Sequence, residues 1–103
     1  MNISKLVWSP EAEEDLRGIY YYIKIKLNEP KVAENIISRI TANTEKLKLY
    51  YNIYPLVFLK KTRPVRKIKV KRYLIFYTFY EEENTVYILR IFHERRDWNK
   101  LLS

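Results

Sequence analysis

The amino-acid sequence predicts an α+β fold in which two helices pack on one face of a mainly antiparallel sheet. Apolar residues recur at spacings of three and four after Pro10 and again after Pro30, which indicates two helices with one buried face each. From residue 65 to residue 92 the pattern changes to alternation and short apolar runs, which are typical of strands. The 103 residues are 48% hydrophobic with one glycine, so we expect a single domain, residues 1–103, with a substantial core.

The first predicted strand, residues 3–8, leads directly into the first helix. Ser9 supplies a hydroxyl at the N-cap, and Pro10 occupies the first helical position. The apolar face of this helix continues to Leu27. Gly18 weakens the helix by roughly 1 kcal/mol relative to alanine, and it either permits a close helix crossing or is simply tolerated.

The second predicted helix begins at Pro30, and its apolar face continues to about Leu49. Because a break of only three residues separates the two helices, we expect an antiparallel helical hairpin. Residues 50–64 follow as an irregular connection that contains two prolines, and LVFLK within it could form a short extended piece.

Three antiparallel strands and a short C-terminal helix are predicted for the rest of the chain. The strands are residues 65–70, 73–80 and 85–92, with a tight turn at Lys71-Arg72 and a polar loop at residues 81–84. Within the first of them, Ile68 and Val70 face one way while Lys67, Lys69 and Lys71 face the other. In the tail, Trp98, Leu101 and Leu102 stand at helical spacing.

The positive charge of the chain is concentrated in residues 60–72, KKTRPVRKIKVKR, which hold eight cationic residues and no acidic one. Together with the net charge of +8, this favours an anionic partner. We expect the lysines of this segment to line an open basic surface on the uncovered side of the sheet. No cysteine, signal peptide or membrane-spanning run is evident, so a soluble cytoplasmic protein without membrane contact is expected.

The ordered set of these segments resembles the RelE/ParE superfamily of toxins from type II toxin–antitoxin modules. The resemblance rests on WSPEAEEDLRGIYYYI, on KVAENIISRITANTEKL and on RKIKVKRYLIFYTFYEEENTVYILRIFHERRDW, in a strand–helix–helix–strands order. It implies a compact toxin that is neutralised by an acidic antitoxin, with one or two toxin copies in the complex. It also implies one of two targets: RelE-like members cut messenger RNA on the ribosome, and ParE-like members poison DNA gyrase.

The resemblance implies a metal-independent and cofactor-independent nuclease site if the chain is RelE-like. Arg66 and Arg90 match the sheet arginines of such toxins by position, and His93 falls where some members carry a catalytic histidine or tyrosine. Strand alternation places Arg90 and His93 on opposite faces unless a bulge or the strand end redirects one of them. The residues expected to bind nucleic acid are Lys67, Lys69, Lys71, Arg72, Tyr77 and Arg96.

Two signals favour different targets. The long predicted hairpin is similar to that of ParE-like members, whereas the basic charge and the sheet arginines favour RNA. We predict a ribosome-dependent mRNA endonuclease by a small margin, with gyrase inhibition as the alternative. A third hypothesis is a non-toxic, degenerate basic module that only binds its antitoxin and operator complex.

Overall fold

The computed structural model describes residues 5–60 and 63–102; the predicted strand start at residues 3–4 and Lys61 of the basic segment lie outside these ranges. The first half of the chain contains β1 (Lys5–Trp8), α1 (Pro10–Tyr21), a π-helical turn (Tyr22–Lys26), α2 (Pro30–Glu45) and α3 (Leu47–Tyr50). The second half contains β2 (Leu56–Lys60), β3 (Arg63–Val70), β4 (Tyr73–Tyr80), β5 (Thr85–His93) and α4 (Trp98–Leu102). Short 3₁₀ turns precede β2 and separate β4 from β5.

The start of α1 is fixed by Ser9, as the sequence predicts. Its hydroxyl accepts a hydrogen bond from the Ala12 amide at 3.0 Å and donates one to the Leu89 carbonyl at 2.8 Å. The same side chain therefore caps the helix and attaches it to β5. The predicted hairpin is confirmed, since α2 begins at Pro30 after the left-handed residue Asn28 (φ 54°). None of the helices in the described ranges is both long and apolar enough to cross a bilayer.

In the part of the chain that the structure describes, the sheet has five strands in the order β1-β5-β4-β3-β2. Strands β2 to β5 pair antiparallel, and β1 joins β5 in parallel. The predicted three-stranded sheet is therefore enlarged on both sides. On one side LVFLK, expected as no more than a short extended piece, forms the edge strand β2. Pro55 stands just before β2, and an edge strand tolerates a neighbouring proline because it pairs on one side only.

Helices α1 and α2 cover one face of the sheet, which confirms the predicted packing. Buried residues of this core include Ala12, Ile40, Ile75, Tyr77 and Ile88. Gly18 lies on α1, and a Cβ added to it would meet no atom within 4 Å. The glycine is therefore tolerated in the helix and serves no close crossing.

The second face of the sheet is partly covered by α4, which corrects the expectation of an open basic surface. Phe76 and Phe92 are buried on this face, and Trp98 and Leu102 of α4 pack against them. The rings of Trp98 and Phe76 lie 5.3 Å apart. The tail folds back because the apolar residues of β4 and β5 on this face need a cover, and Trp98 and Leu102 provide one.

Candidate functional site

Arg66 lies on β3 in register with Tyr77 of β4, on the same face of the sheet as the helices. Its Nη1 atom donates a hydrogen bond to the Tyr54 carbonyl at 2.7 Å. The guanidinium lines a cavity of about 430 Å³ whose walls also include Tyr51, Arg63 and Phe79. Arg66 is thus half-buried and bonded to the main chain, with part of its surface on an open cavity.

Tyr77 was expected to bind nucleic acid, and its environment does not permit base stacking. Its side chain is 0% exposed, and its hydroxyl donates a hydrogen bond to the Tyr51 carbonyl. Burial raises the pKa of the Tyr77 phenol well above its ordinary value. The ring is a core residue beneath the helical layer, so it cannot stack on a base in this conformation.

Arg90 is held by Asp15 of α1. Its Nε and Nη2 atoms donate hydrogen bonds of 2.8 and 3.0 Å to the two carboxylate oxygens, and the Ile91 amide donates a third bond to Asp15 at 2.9 Å. The hydrogen bond to Asp15 raises the pKa of Arg90. One carboxylate therefore neutralises the arginine and also satisfies an amide on the edge of β5, beyond the point where β1 stops pairing.

His93 lies at the end of β5, opposite Tyr73. The two rings meet edge to face at a centroid distance of 5.5 Å, and the His93 Nδ1 atom accepts a hydrogen bond from the Arg95 amide at 3.1 Å. The imidazole borders two depressions, of about 820 and 550 Å³. Arg66 lines neither of them.

The structure does not bring the three predicted catalytic residues together. Arg66 and His93 share a face, but their strand partners, Tyr77 and Tyr73, are four residues apart on β4, about 13 Å along the strand. Ile75 lies between these partners and is buried beneath the helices, so the helical layer separates the two positions.

Arg90 belongs to the opposite face, since it pairs with Phe76. A bulge does occur in the β4–β5 ladder, between the Phe76 and Tyr77 pairs. Because of this bulge, the side chains of Ile88 and Arg90 lie on opposite faces of the sheet, whereas in a regular strand they would share one. The ladder is regular from Arg90 to His93, so these two residues stay on opposite faces. The catalytic role of the set remains a prediction.

Some of the cations predicted to bind nucleic acid contact an aromatic ring or a carboxylate of the protein, and others do not. The Lys67 ammonium lies 4.9 Å from the centre of the Trp98 ring, and the Arg96 guanidinium lies 5.5 Å from that of Phe92. Lys69 forms a 2.9 Å ion pair with Glu94, and this contact lowers the pKa of Glu94. Lys71 and Arg72 are exposed, and within residues 5–60 and 63–102 neither forms an ion pair.

Asp15, which binds the predicted catalytic residue Arg90, was not among the site residues predicted from the sequence. Negative charge near the start of a helix is favoured by the helix dipole alone, so an acidic residue in the first turns of α1 does not by itself indicate a partner. A signal was present, however: Asp15 follows Ala12 by three residues and precedes Ile19 by four, so it lies on the apolar face of α1. A carboxylate at such a position requires a partner. Among the described residues, no three His, Cys, Asp or Glu side chains form a metal-binding group.

Comparison with solved structures finds the same fold in chains of three toxin–antitoxin systems. The chromosomal ParDE system of P. aeruginosa matches with a TM-score of 0.68 at 20% identity, over 88% of this chain and 96% of that one. The archaeal RelE–RelB complex of Pyrococcus horikoshii OT3 matches with a TM-score of 0.64 at 10% identity, over 91% and 98%. A RelBE complex of Mycobacterium tuberculosis gives 0.58 at 15% identity, over 90% and 99%. At these identities the likeness shows the fold alone.

The family is shown by sequence. The profile described as the ParE toxin of the type II toxin–antitoxin system parDE matches residues 6–98. The chain belongs to this family of toxins, and the suspected RelE/ParE resemblance is confirmed. No curated protein matches the chain at a significant level.

Proposed function

We propose that this toxin acts as a ParE-like inhibitor of DNA gyrase and is neutralised by a cognate acidic antitoxin. The observation that carries the proposal is the bidentate engagement of Arg90 by Asp15, on the face of the sheet opposite to Arg66 and His93. The match to the ParE profile supports the same choice. This proposal reverses the order of the two targets expected from the sequence.

The chemistry of RNA cleavage supports this choice. Metal-independent cleavage needs cationic groups and a general acid or base within about 3 Å of the atoms of one phosphodiester. Arg66, Arg90 and His93 lie in separate places, and Arg90 is already neutralised. A toxin that acts by binding a protein target requires only an accessible surface of suitable shape and charge.

Two assays on the purified toxin, freed from its antitoxin, test the proposal. In a supercoiling assay with purified gyrase we expect inhibition or gyrase-linked DNA breaks. In a cell-free translation reaction, primer extension on the mRNA is expected to reveal no cleavage within codons. Normal supercoiling together with toxin-dependent mRNA cuts would overturn the proposal.

Ribosome-dependent mRNA cleavage is the second candidate, and the Arg66 cavity favours it. Arg66 lines an open cavity of about 430 Å³ and could bind a phosphate there, in competition with Glu81 and with Glu82, which already pairs with Arg63. For this mechanism, Arg66→Ala should reduce cleavage by a factor that corresponds to roughly 2 kcal/mol or more. Arg39→Ala on α2 is the matched control, because within residues 5–60 and 63–102 its guanidinium bonds to Asn35 of the same helix and to no other residue.

The antitoxin is proposed from the charge of the chain and from its structural neighbours. The three similar structures named above come from toxin–antitoxin systems. A net charge of +8 suits an acidic partner that folds on binding. Co-expression with a small adjacent reading frame is expected to yield a complex whose affinity falls as salt rises. A complex that is indifferent to salt would contradict the electrostatic part.

A further inference from the structure

The Arg66 cavity lies where the sheet opens between β3 and β4. The ladder between these strands covers Val65 to Val70 of β3, whereas Arg63 and Pro64 pair with β2. Pro64 has no amide hydrogen to donate to β4, and its carbonyl accepts a hydrogen bond from the Thr78 hydroxyl at 2.8 Å. Beyond this point the two strands separate. The space of about 430 Å³ that results is within the size range of small-molecule sites.

Arg66 brings a positive charge to this cavity without a carboxylate to neutralise it. Its half-buried guanidinium donates a hydrogen bond to the Tyr54 carbonyl, and within residues 5–60 and 63–102 it forms no ion pair. Arg63, on the same wall, differs because Glu82 neutralises it. A partly buried charge is unfavourable until an opposite charge approaches it. An anion that enters the cavity is therefore expected to bind at Arg66.

The wall of the cavity also contains two aromatic rings. Tyr51 and Phe79 are half-buried, and their ring centroids lie 4.4 Å apart. Aromatic side chains at a binding site provide a surface on which a planar ring of a ligand can pack. A small inorganic anion at Arg66 would leave this surface without a contact, so the cavity suits a ligand that joins an anionic group to a ring.

The rim of the cavity limits the ligand to one anionic group. Glu81 borders the cavity, is exposed and forms no ion pair with the described residues. Its carboxylate repels a second anion, but it can accept hydrogen bonds from the amino group of a base. Asn52, also exposed at the cavity, can donate and accept hydrogen bonds. The ring of the ligand is therefore expected to carry N–H groups.

We infer that the Arg66 cavity binds a nucleoside monophosphate group, with the phosphate at Arg66, the base against Tyr51 and Phe79, and its amino group towards Glu81. This site is additional to the proposed inhibition of gyrase and does not depend on it. The same chemistry is present in a free mononucleotide and at the phosphorylated end of a nucleic-acid strand, and the experiment separates these two sources.

Titration calorimetry on the purified toxin, freed from its antitoxin, tests the inference with AMP as the probe. We expect a Kd of about 0.01–1 mM, the range for a ligand of this size in an open site. Inorganic phosphate and adenosine, which supply the two parts separately, should each bind at least about tenfold more weakly. A short single-stranded RNA with a terminal phosphate is the fourth ligand. If it displaces AMP and binds more tightly, a strand end is the source, and otherwise the source is a free mononucleotide.

Two cavity variants and their controls locate the binding. Arg66→Gln removes the charge and keeps an N–H donor for the Tyr54 carbonyl, and Arg39→Gln, at an exposed position on α2, is its control. Asn52→Trp fills the cavity from an exposed position and leaves Arg66 intact. Its control is Ile53→Trp, because Ile53 is 66% exposed and does not line the cavity. Circular dichroism checks that each variant folds.

We expect each cavity variant to raise the Kd for AMP by about tenfold or more and each control to change it by less than about threefold. Unchanged AMP binding in either folded cavity variant would overturn the inference. It would also be overturned if phosphate bound as tightly as AMP, or if AMP did not bind at about 10 mM. RNA binding without AMP binding would assign the cavity to the second candidate function instead. The supercoiling assay is independent: normal gyrase inhibition without AMP binding defeats this inference alone, and the reverse result defeats the proposed function alone.

Discussion

Replacement of Asp15 by alanine is the sharpest test of how α1 is attached to the sheet. The carboxylate accepts three hydrogen bonds, two from Arg90 and one from the Ile91 amide, at 2.8–3.0 Å. The side chain of Asp15 is 14% exposed and that of Arg90 is 30% exposed. Asp15→Ala therefore leaves a partly buried guanidinium and a strand-edge amide without their acceptor.

The loss of stability expected for Asp15→Ala can be worked out from these contacts. A hydrogen bond to a charged group contributes about 1.5–3 kcal/mol, and an unsatisfied amide costs about 1–3 kcal/mol. Water reaches part of the Arg90 guanidinium and recovers some of this loss. We expect the free energy of unfolding to fall by roughly 2–3 kcal/mol, out of a total of about 5–15 kcal/mol. For a domain of this size, Tm should fall by roughly 10–20 °C.

Urea denaturation and thermal melting of the purified toxin measure the effect. Glu14→Ala is the matched control, one residue earlier on the same helix, because among the described residues its carboxylate pairs with Arg17 alone and both side chains are largely exposed. The control should change stability little. If the two substitutions prove equally mild, the Asp15–Arg90 contact does not hold α1 to β5, and the structural role assigned to it is wrong.

Three further substitutions test other contacts. Gly18→Ala should stabilise the protein by roughly 0.5–1 kcal/mol, since the added methyl meets no atom within 4 Å, and a lowered Tm would show that the glycine has a packing role. Tyr77→Phe should cost roughly 1 kcal/mol in urea denaturation, whereas Tyr87→Phe, with an exposed hydroxyl, should cost much less; equal losses would contradict the buried bond. The Arg63 hydrogen bond lowers the pKa of Glu82 to about 2, so its stabilising contribution is complete above the ordinary value of 4.5 and is lost as the pH falls towards 2. The difference in Tm between the wild type and Glu82→Gln should shrink over that window, and a constant difference would refute the linkage.

The sequence predicted the elements that local chemistry defines. Ser9 and Pro10 start α1, Pro30 starts α2, and Lys71-Arg72 forms the turn, as expected. The edge strand β2 was underestimated because its five residues lie between prolines and carry no alternation. Its pairing with β3 depends on the rest of the sheet, which is tertiary information that a local pattern does not contain.

The candidate site was less predictable because it depends on which face of the sheet each side chain occupies and on which distant residue it contacts. The alternation of side chains along a strand correctly predicted that Arg90 and His93 occupy opposite faces of the sheet. It did not reveal that Arg90 is bound to Asp15, since these residues are 75 positions apart in the chain. It also did not reveal that Trp98 covers the face on which Lys67 was expected to be open. Long-range pairing of this kind decides which of the predicted nucleic-acid-binding cations are engaged; among those, Lys71 and Arg72 form no ion pair with the described residues.

The parallel pairing of β1 with β5 has a consequence for the time at which the toxin matures during synthesis. The Ser9 hydroxyl and the Leu89 carbonyl that it bonds are 80 residues apart in the chain. Closing a flexible loop of that length costs roughly 4 kcal/mol in chain entropy from the length-dependent part alone. β1 and α1 leave the ribosome well before β5, so the Ser9 hydroxyl and the carboxylate of Asp15 lack their β5 partners until that strand emerges. The nascent chain therefore acquires its folded surface, and any toxicity that depends on this surface, only after β5 has emerged.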